Sequence, residues 1–264
     1  MKIESIIKAT IESLDKLLSK DLELIPWSAP IISFGSIKNA KIATLGLNPS
    51  NREFVNKLGK ELKGKSRRFH TLESLSIKSW SEIEEHHINS ILDYCNNYFL
   101  NNPYDLWFKK LDHIISGTQC SYYFPYSNTC HLDLVPYATM IKWGELNKAQ
   151  QDFLIDESAN VLGRIVENSS IRLMILNGRS VINNFSKISD ITFHVTRKSN
   201  WDLPRQKRKN IKGFSFIGYS SSIGNTKLSK EIIVIGFNHN IQSSYGLTNE
   251  VKDHIRDWIT KEAS

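Results

Sequence analysis

Three short stretches of this chain hold the residue types that hydrolytic chemistry needs, and each one ends an apolar run. Ile42-Ala43-Thr44-Leu45 breaks at Gly46 and continues as Leu47-Asn48-Pro49-Ser50. Cys130-His131-Leu132-Asp133-Leu134-Val135 carries an imidazole and a carboxylate two residues apart, and Pro136 stops it. Residues 231–237 give way to Asn238-His239-Asn240-Ile241-Gln242-Ser243-Ser244-Tyr245-Gly246. Gly46 lets the backbone approach a partner closely, and Pro49 fixes a turn while removing a donor. The amide of Asn48 is thereby held at a strand end, where it can position a water or a leaving group. Taken singly, Asn48 also reads as an ordinary Asn-Pro turn, Asp133 as an ion-pair partner or helix cap, and His239 as a turn histidine. Their common placement argues for a site, because ligands of open parallel sheets bind beyond the carboxyl ends of the strands.

The elements that must position these groups are legible as periodicity. Residues 41–47, 130–135, 171–176 and 231–237 read as core strands, the third ended by Asn177-Gly178. Helical spacing is expected over 1–22, most of 71–116, 147–168, 179–186 and 248–262. Within 71–116, Ser79-Trp80-Ser81-Glu82 reads as a helix start, and Trp107, Leu111, Ile114 and Ile115 share one face. In 147–168 the apolar face is Phe153, Ala159, Leu162, Ile165 and Val166. Short β-type segments are expected at 191–196 and 214–219. Strands alternating with helices give an α/β fold class: a three-layer α/β/α sandwich with a short, mainly parallel central sheet. Residues 1–264 read as one domain, with an amphipathic helix in 1–25 and basic loops at 51–70 and 196–212.

Charge narrows the partner. The 264 residues carry a net charge of +7, which favours an anionic partner, nucleic acid above all. Lys57, Lys60, Lys63, Lys65, Arg67 and Arg68 form one cluster, with Phe69 beside it. Arg197, Lys198, Arg205, Lys207, Arg208, Lys209 and Lys212 form another, around Trp201. Each alone is compatible with a solvated loop. No apolar run reaches membrane-spanning length, and the N-terminal stretch has acids among its apolar residues, unlike a targeting peptide. Cys95, Cys120 and Cys130 are scattered and odd in number, which excludes a CxxC pair and fits a reducing cytoplasm.

In order and spacing, Gly46-Leu47-Asn48-Pro49-Ser50, His131-Leu132-Asp133-Leu134-Val135-Pro136, Leu176-Asn177-Gly178-Arg179 and the late histidine loop resemble the uracil-DNA glycosylase superfamily. The nearest variant is its mismatch-specific branch, whose first motif reads Gly-x-Asn-Pro. The resemblance spans about residues 40–260 and departs from the family at the last motif, usually His-Pro-Ser and here Asn238-His239-Asn240. It implies a monofunctional DNA glycosylase without cofactor or metal, which flips a nucleotide out of the helix and leaves an abasic site. Asn48 would orient the attacking water, and His239 would stabilise charge on the leaving base. Gly46, Leu47, Pro49, Ser50, His131 and Asp133 would line the base pocket, with Phe69, or else Phe54, stacked on the base. Arg67, Arg68, Asn177 and Arg179 would meet DNA together with Asn240, Ile241, Gln242, Ser243, Ser244 and Tyr245. Of these, Ile241, Gln242 and Tyr245 would fill the space left by the extruded base.

Asp133 bears on the choice of base. Many family members place Asn at the matching position, where its amide pairs with uracil. An ionised carboxylate only accepts, cytosine offers an N4 amino donor, and uracil offers a carbonyl acceptor instead. The expected base is therefore a cytosine derivative, and a bulky C5 substituent would be accommodated by the 51–68 loop. This resembles phage-defence glycosylases that excise glucosylated hydroxymethylcytosine, with abasic-site nucleases acting downstream. Three rivals stand beside it: a repair enzyme acting on uracil or a mismatched base, a non-catalytic reader of modified DNA, and a metal-dependent nuclease. The last lacks an acidic cluster or a His-x-x-x-His spacing.

Overall fold

The computed structural model describes residues 2–102, 105–205 and 209–263. Lys207 and Arg208 of the second basic cluster lie outside the described residues.

Helix α1 (Ile3–Leu17) buries Ile6, Ile7, Ile11 and Leu14, the stripe that a 3.6-residue period puts on one side. Strand β1 (Ile42–Gly46) is buried along its whole length, as a central strand covered on both faces must be. Residues 51–70 have no long element. They contain short 3₁₀ turns at Asn51–Glu53 and Gly64–Ser66, and a bridge between Val55 and Glu61. The expected helix start at residues 79–82 is itself a 3₁₀ turn (Trp80–Glu82), tied down by the Trp80 indole donating to the Pro26 carbonyl. Helix α2 (Glu85–Asn96) begins after it, capped reciprocally by Glu84 and His87. The short α3 (Tyr98–Asn101) leads to α4 (Leu106–Ile115), whose N-cap Asp105 accepts from the backbone of Trp107 and Phe108.

Strand β2 (Thr129–Asp133) precedes α5 (Lys148–Glu167), which has an Asn147–Gln150 capping box and buries Leu154, Ile155, Ala159, Leu162, Ile165 and Val166. Strand β3 (Leu173–Asn177) turns through Gly178, at φ 101°, into α6 (Arg179–Ile188). Then come β4 (His194–Leu203), β5 (Ile211–Ile223), β6 (Thr226–Phe237) and the C-terminal α7 (Asn249–Glu262).

The six strands form one mixed sheet in the order β2-β1-β3-β6-β5-β4, flanked by helices. The first four are mutually parallel, while β5 and β4 run antiparallel to their neighbours. The expectation of a short, mainly parallel sheet holds only for the first four strands. The basic 196–212 segment, expected as a loop, is largely strand: β4 carries Arg197 and Lys198 and runs to Leu203, and β5 begins at Ile211. An antiparallel edge hairpin faces solvent on one side, so its exposed positions accept charge without loss of pairing. Trp201 is buried against Trp258 rather than offered to a ligand. Among the described residues no helix is long and apolar enough to cross a membrane.

Candidate active site

Parallel register brings the chemistry to one edge. Gly46 pairs with Asp133, Thr44 with His131, and Asn177 with Phe237. The strand ends of β2, β1, β3 and β6 therefore open into one cleft of about 640 Å³, within the range of about 300–1,000 Å³ usual for small-ligand sites. Gly46 to Ser50, His131, Asp133, Asn177, Asn240, Gln242 and Ser243 line it.

Asn48 is held by Tyr137 and Thr139. Its Nδ2 donates to Thr139 Oγ1 at 3.1 Å and to the Tyr137 carbonyl at 3.4 Å. Thr139 gives its own proton to the Ile141 carbonyl at 2.7 Å, so its oxygen can only accept from Asn48. That fixes the amide's orientation and leaves Oδ1 as the acceptor for a water or substrate donor.

His131 and Asp133 share one face of β2, two residues apart. His131 Nε2 lies 3.4 Å from Asp133 Oδ1, with both side chains almost completely buried. His131 Nδ1 meets Thr44 Oγ1 at 2.7 Å, and the Tyr122 hydroxyl closes that chain. Gly46 makes the pair possible: a Cβ there would stand 2.3 Å from Asp133 Oδ1 and 2.9 Å from His131 Nε2.

Several of the facing groups were not among the expected site residues, although Arg68 was. Phe34, Trp107, Phe108 and Trp143 give the cleft aromatic surface, and Trp107 and Phe108 both meet the His131 ring edge-on. Trp107, expected on the buried face of its helix, is 41% exposed, while Leu111, Ile114 and Ile115 are buried as expected. Glu53, Arg68 and Asp105 form a charged group within the lining. Arg68 donates to Asp105 at 2.9 Å, and its Nη1 lies 3.4 Å from Glu53; Tyr98 donates to Glu53 at 3.0 Å. Burial raises the Glu53 carboxyl to about 7, against the opposing pull of Arg68 and the Tyr98 hydroxyl. The signal in the sequence was an acid, Glu53, directly after Arg52 in a stretch otherwise read for its bases.

Eight expected site residues lie elsewhere. His239 does not line the cleft: it is 1% exposed, and its Nε2 donates to the Trp201 carbonyl at 2.7 Å. Burial lowers its pKa, with the Trp201 bond and Asp202 acting the other way. Phe69 and Phe54 are core residues, 2% and 1% exposed, and Phe69 stacks on Tyr98 instead of on a ligand. Arg67 donates to the Tyr94 hydroxyl and lies over its ring. Arg179 sits at the start of α6 with its guanidinium over Phe216. Ile241 is buried, which removes it as a wedge, while Tyr245 is 79% exposed. Ser244 Oγ accepts from the Asn240 backbone and so braces the loop. Asn177 does line the cleft, but it also staples the loop. Its Oδ1 accepts from Ile241 N at 2.9 Å, and its Nδ2 donates to Gln242 at 2.6 Å.

The arrangement can orient a water with a neutral amide, read an amino edge with a carboxylate, stack a planar ring and supply or take a proton at Glu53. Compared with known proteins, the chain matches no family model and no curated sequence.

Proposed function

We propose that this protein is a DNA glycosylase that flips a modified cytosine out of the helix, cleaves its N-glycosidic bond and leaves an abasic site. The observation that carries this reading is the Asn48 amide, locked by Thr139 with Oδ1 unspent, in the same cleft as Asp133 and its aromatic neighbours. In this reading the four parallel strands and their helices are the three-layer sandwich of the uracil-DNA glycosylase type. Extrusion of the nucleotide costs roughly a few kcal/mol, offset by stacking on the half-exposed Trp107 in place of the expected Phe69. Asp133 accepts from the cytosine amino group, and Asn48 Oδ1 accepts from the water that attacks C1′. Glucosylated hydroxymethylcytosine of phage DNA is the substrate assigned, in a cytoplasmic setting with abasic-site nucleases downstream. The volume of the cleft exceeds what a bare pyrimidine fills, which favours a substituted base.

The test is Asn48→Ala. Release of the base should fall by about 100-fold or more while the variant still binds the same DNA. Undiminished release by Asn48→Ala would remove the amide from the chemistry. Bound DNA with no release by either protein would identify a reader of modified DNA instead.

A further inference from the structure

The residue expected to meet the departing base, His239, is buried away from the cleft with its Nε2 spent on a backbone carbonyl. Cytosine and its derivatives leave poorly as anions, so their departure calls for a proton. Asn48 is neutral and has none to give. Within the cleft lining the carboxyls are Glu53, Asp105 and Asp133. Asp105 is engaged as the N-cap of α4 and as the close partner of Arg68, and Asp133 lies against His131.

We infer that Glu53 is the general acid of the reaction, delivering a proton to the base as the C1′–N bond breaks. This rests on the glycosylase reading above. Glu53 ends a 3₁₀ turn only five residues after Asn48, with its backbone N–H bonded to the Ser50 carbonyl at 3.1 Å. Asn48 and Glu53 line the same cleft. As the bond breaks, its electron pair goes to the base, which takes the Glu53 proton. The water that adds to C1′ releases a proton to solvent, and solvent reprotonates Glu53. The carboxylate formed in the first step is received by the Tyr98 hydroxyl at 3.0 Å and Arg68 at 3.4 Å, already in place.

The groups facing Glu53 are Arg68, which favours its ionised form, Tyr98 from α3, which does the same, and Asp105 at the start of α4, which opposes it. Arg52, Lys142, His131 and Asp133 are the other titratable or charged groups along the cleft. Burial outweighs the favourable partners, so the carboxyl keeps its proton up to about pH 7.

Single-turnover base release should be measured at saturating enzyme between about pH 5.5 and 8.5. The wild-type rate should be level on the acid side and fall above about pH 7. Glu53→Gln keeps the shape and the Tyr98 contact but has no proton to transfer. Its rate should drop on the order of 100-fold and lose the alkaline fall, with DNA affinity retained. Tyr98→Phe removes a bond to the ionised carboxylate, so its alkaline fall should move to higher pH. That shift carries the test if the Gln variant does not fold. Base release that is flat with pH, or a Glu53→Gln rate within about threefold of wild type, would overturn the acid role and leave the glycosylase reading standing. Absence of base release by the wild type from every DNA would overturn both.

Discussion

At the residue scale, the site is defined by what it has no room for. Gly46 is confined by Asp133 and His131, and the nearest of their atoms would be 2.3 Å from an added methyl. Gly46→Ala should therefore push the carboxylate and imidazole apart. We expect a loss of about 1–3 kcal/mol in stability and a larger proportional loss in base release, read by thermal unfolding and an abasic-site assay. Glu53 gives a prediction of pH dependence. Its carboxyl is raised from 4.5 to about 7 in the folded chain, so the native state holds this proton more tightly than the unfolded state does. Both states hold it below 4.5, and the native state is progressively penalised as pH rises to about 7, then uniformly above it. Relative to wild type, Glu53→Gln should gain stability across that interval, on the order of 1–3 kcal/mol by pH 8 and little at pH 4. Denaturant unfolding at the two pH values checks this, and an equal effect at both would contradict the assigned burial.

At the element scale, the loop after β6 is held both by its own turn, in which Asn240 Oδ1 accepts from Gln242 N and Ser243 N, and by β3. Asn177, 2% exposed, bonds both the backbone of Ile241 and the side chain of Gln242. Asn177→Ala leaves the buried Ile241 N–H and Gln242 Oε1 without these partners, a cost of about 1–3 kcal/mol. Hydrogen exchange across residues 239–245 should accelerate while the β1 and β2 amides stay protected. Unchanged exchange would mean that the loop is braced otherwise. The same elements explain what could be read in advance. The core strands β1, β2 and β3 announced themselves as short apolar runs ended by Gly, Asn or Pro, and parallel pairing then fixed their ends at one edge. Helices α5 and α7 were legible because their apolar spacing had nothing competing with it. The β4–β5 hairpin was legible only in part: β-type segments at 191–196 and 214–219 overlap β4 and β5, but the basic stretch between them, being solvent-facing, reads as loop. Periodicity places Trp107 on the face of Leu111, yet it lies in the first turn of α4, where the chain emerges from the core. Phe54 and Phe69 were equally ambiguous: an aromatic beside a basic run can face a ligand or the core, and only tertiary packing decides.

At the scale of the whole molecule, one sheet edge gathers an amide from the turn after β1, a carboxylate and imidazole from β2, a staple from β3 and a proton carrier from the loop that follows the turn. The chain as a whole carries a net charge of +7, and the basic β4–β5 hairpin extends the sheet beyond the four parallel strands. No single group identifies the substrate. Asp133 does so most nearly, because an ionised carboxylate accepts from cytosine's amino group and repels uracil's carbonyl. The most direct measurement is abasic-site formation by the purified protein, with chelator present, on three matched DNAs carrying cytosine, uracil or glucosylated hydroxymethylcytosine. Abasic sites are expected in the glucosylated DNA alone, abolished by Asn48→Ala. Abasic sites in the uracil DNA instead would contradict the assignment of Asp133 and make the protein a repair glycosylase, and none in any of the three would contradict the assigned activity.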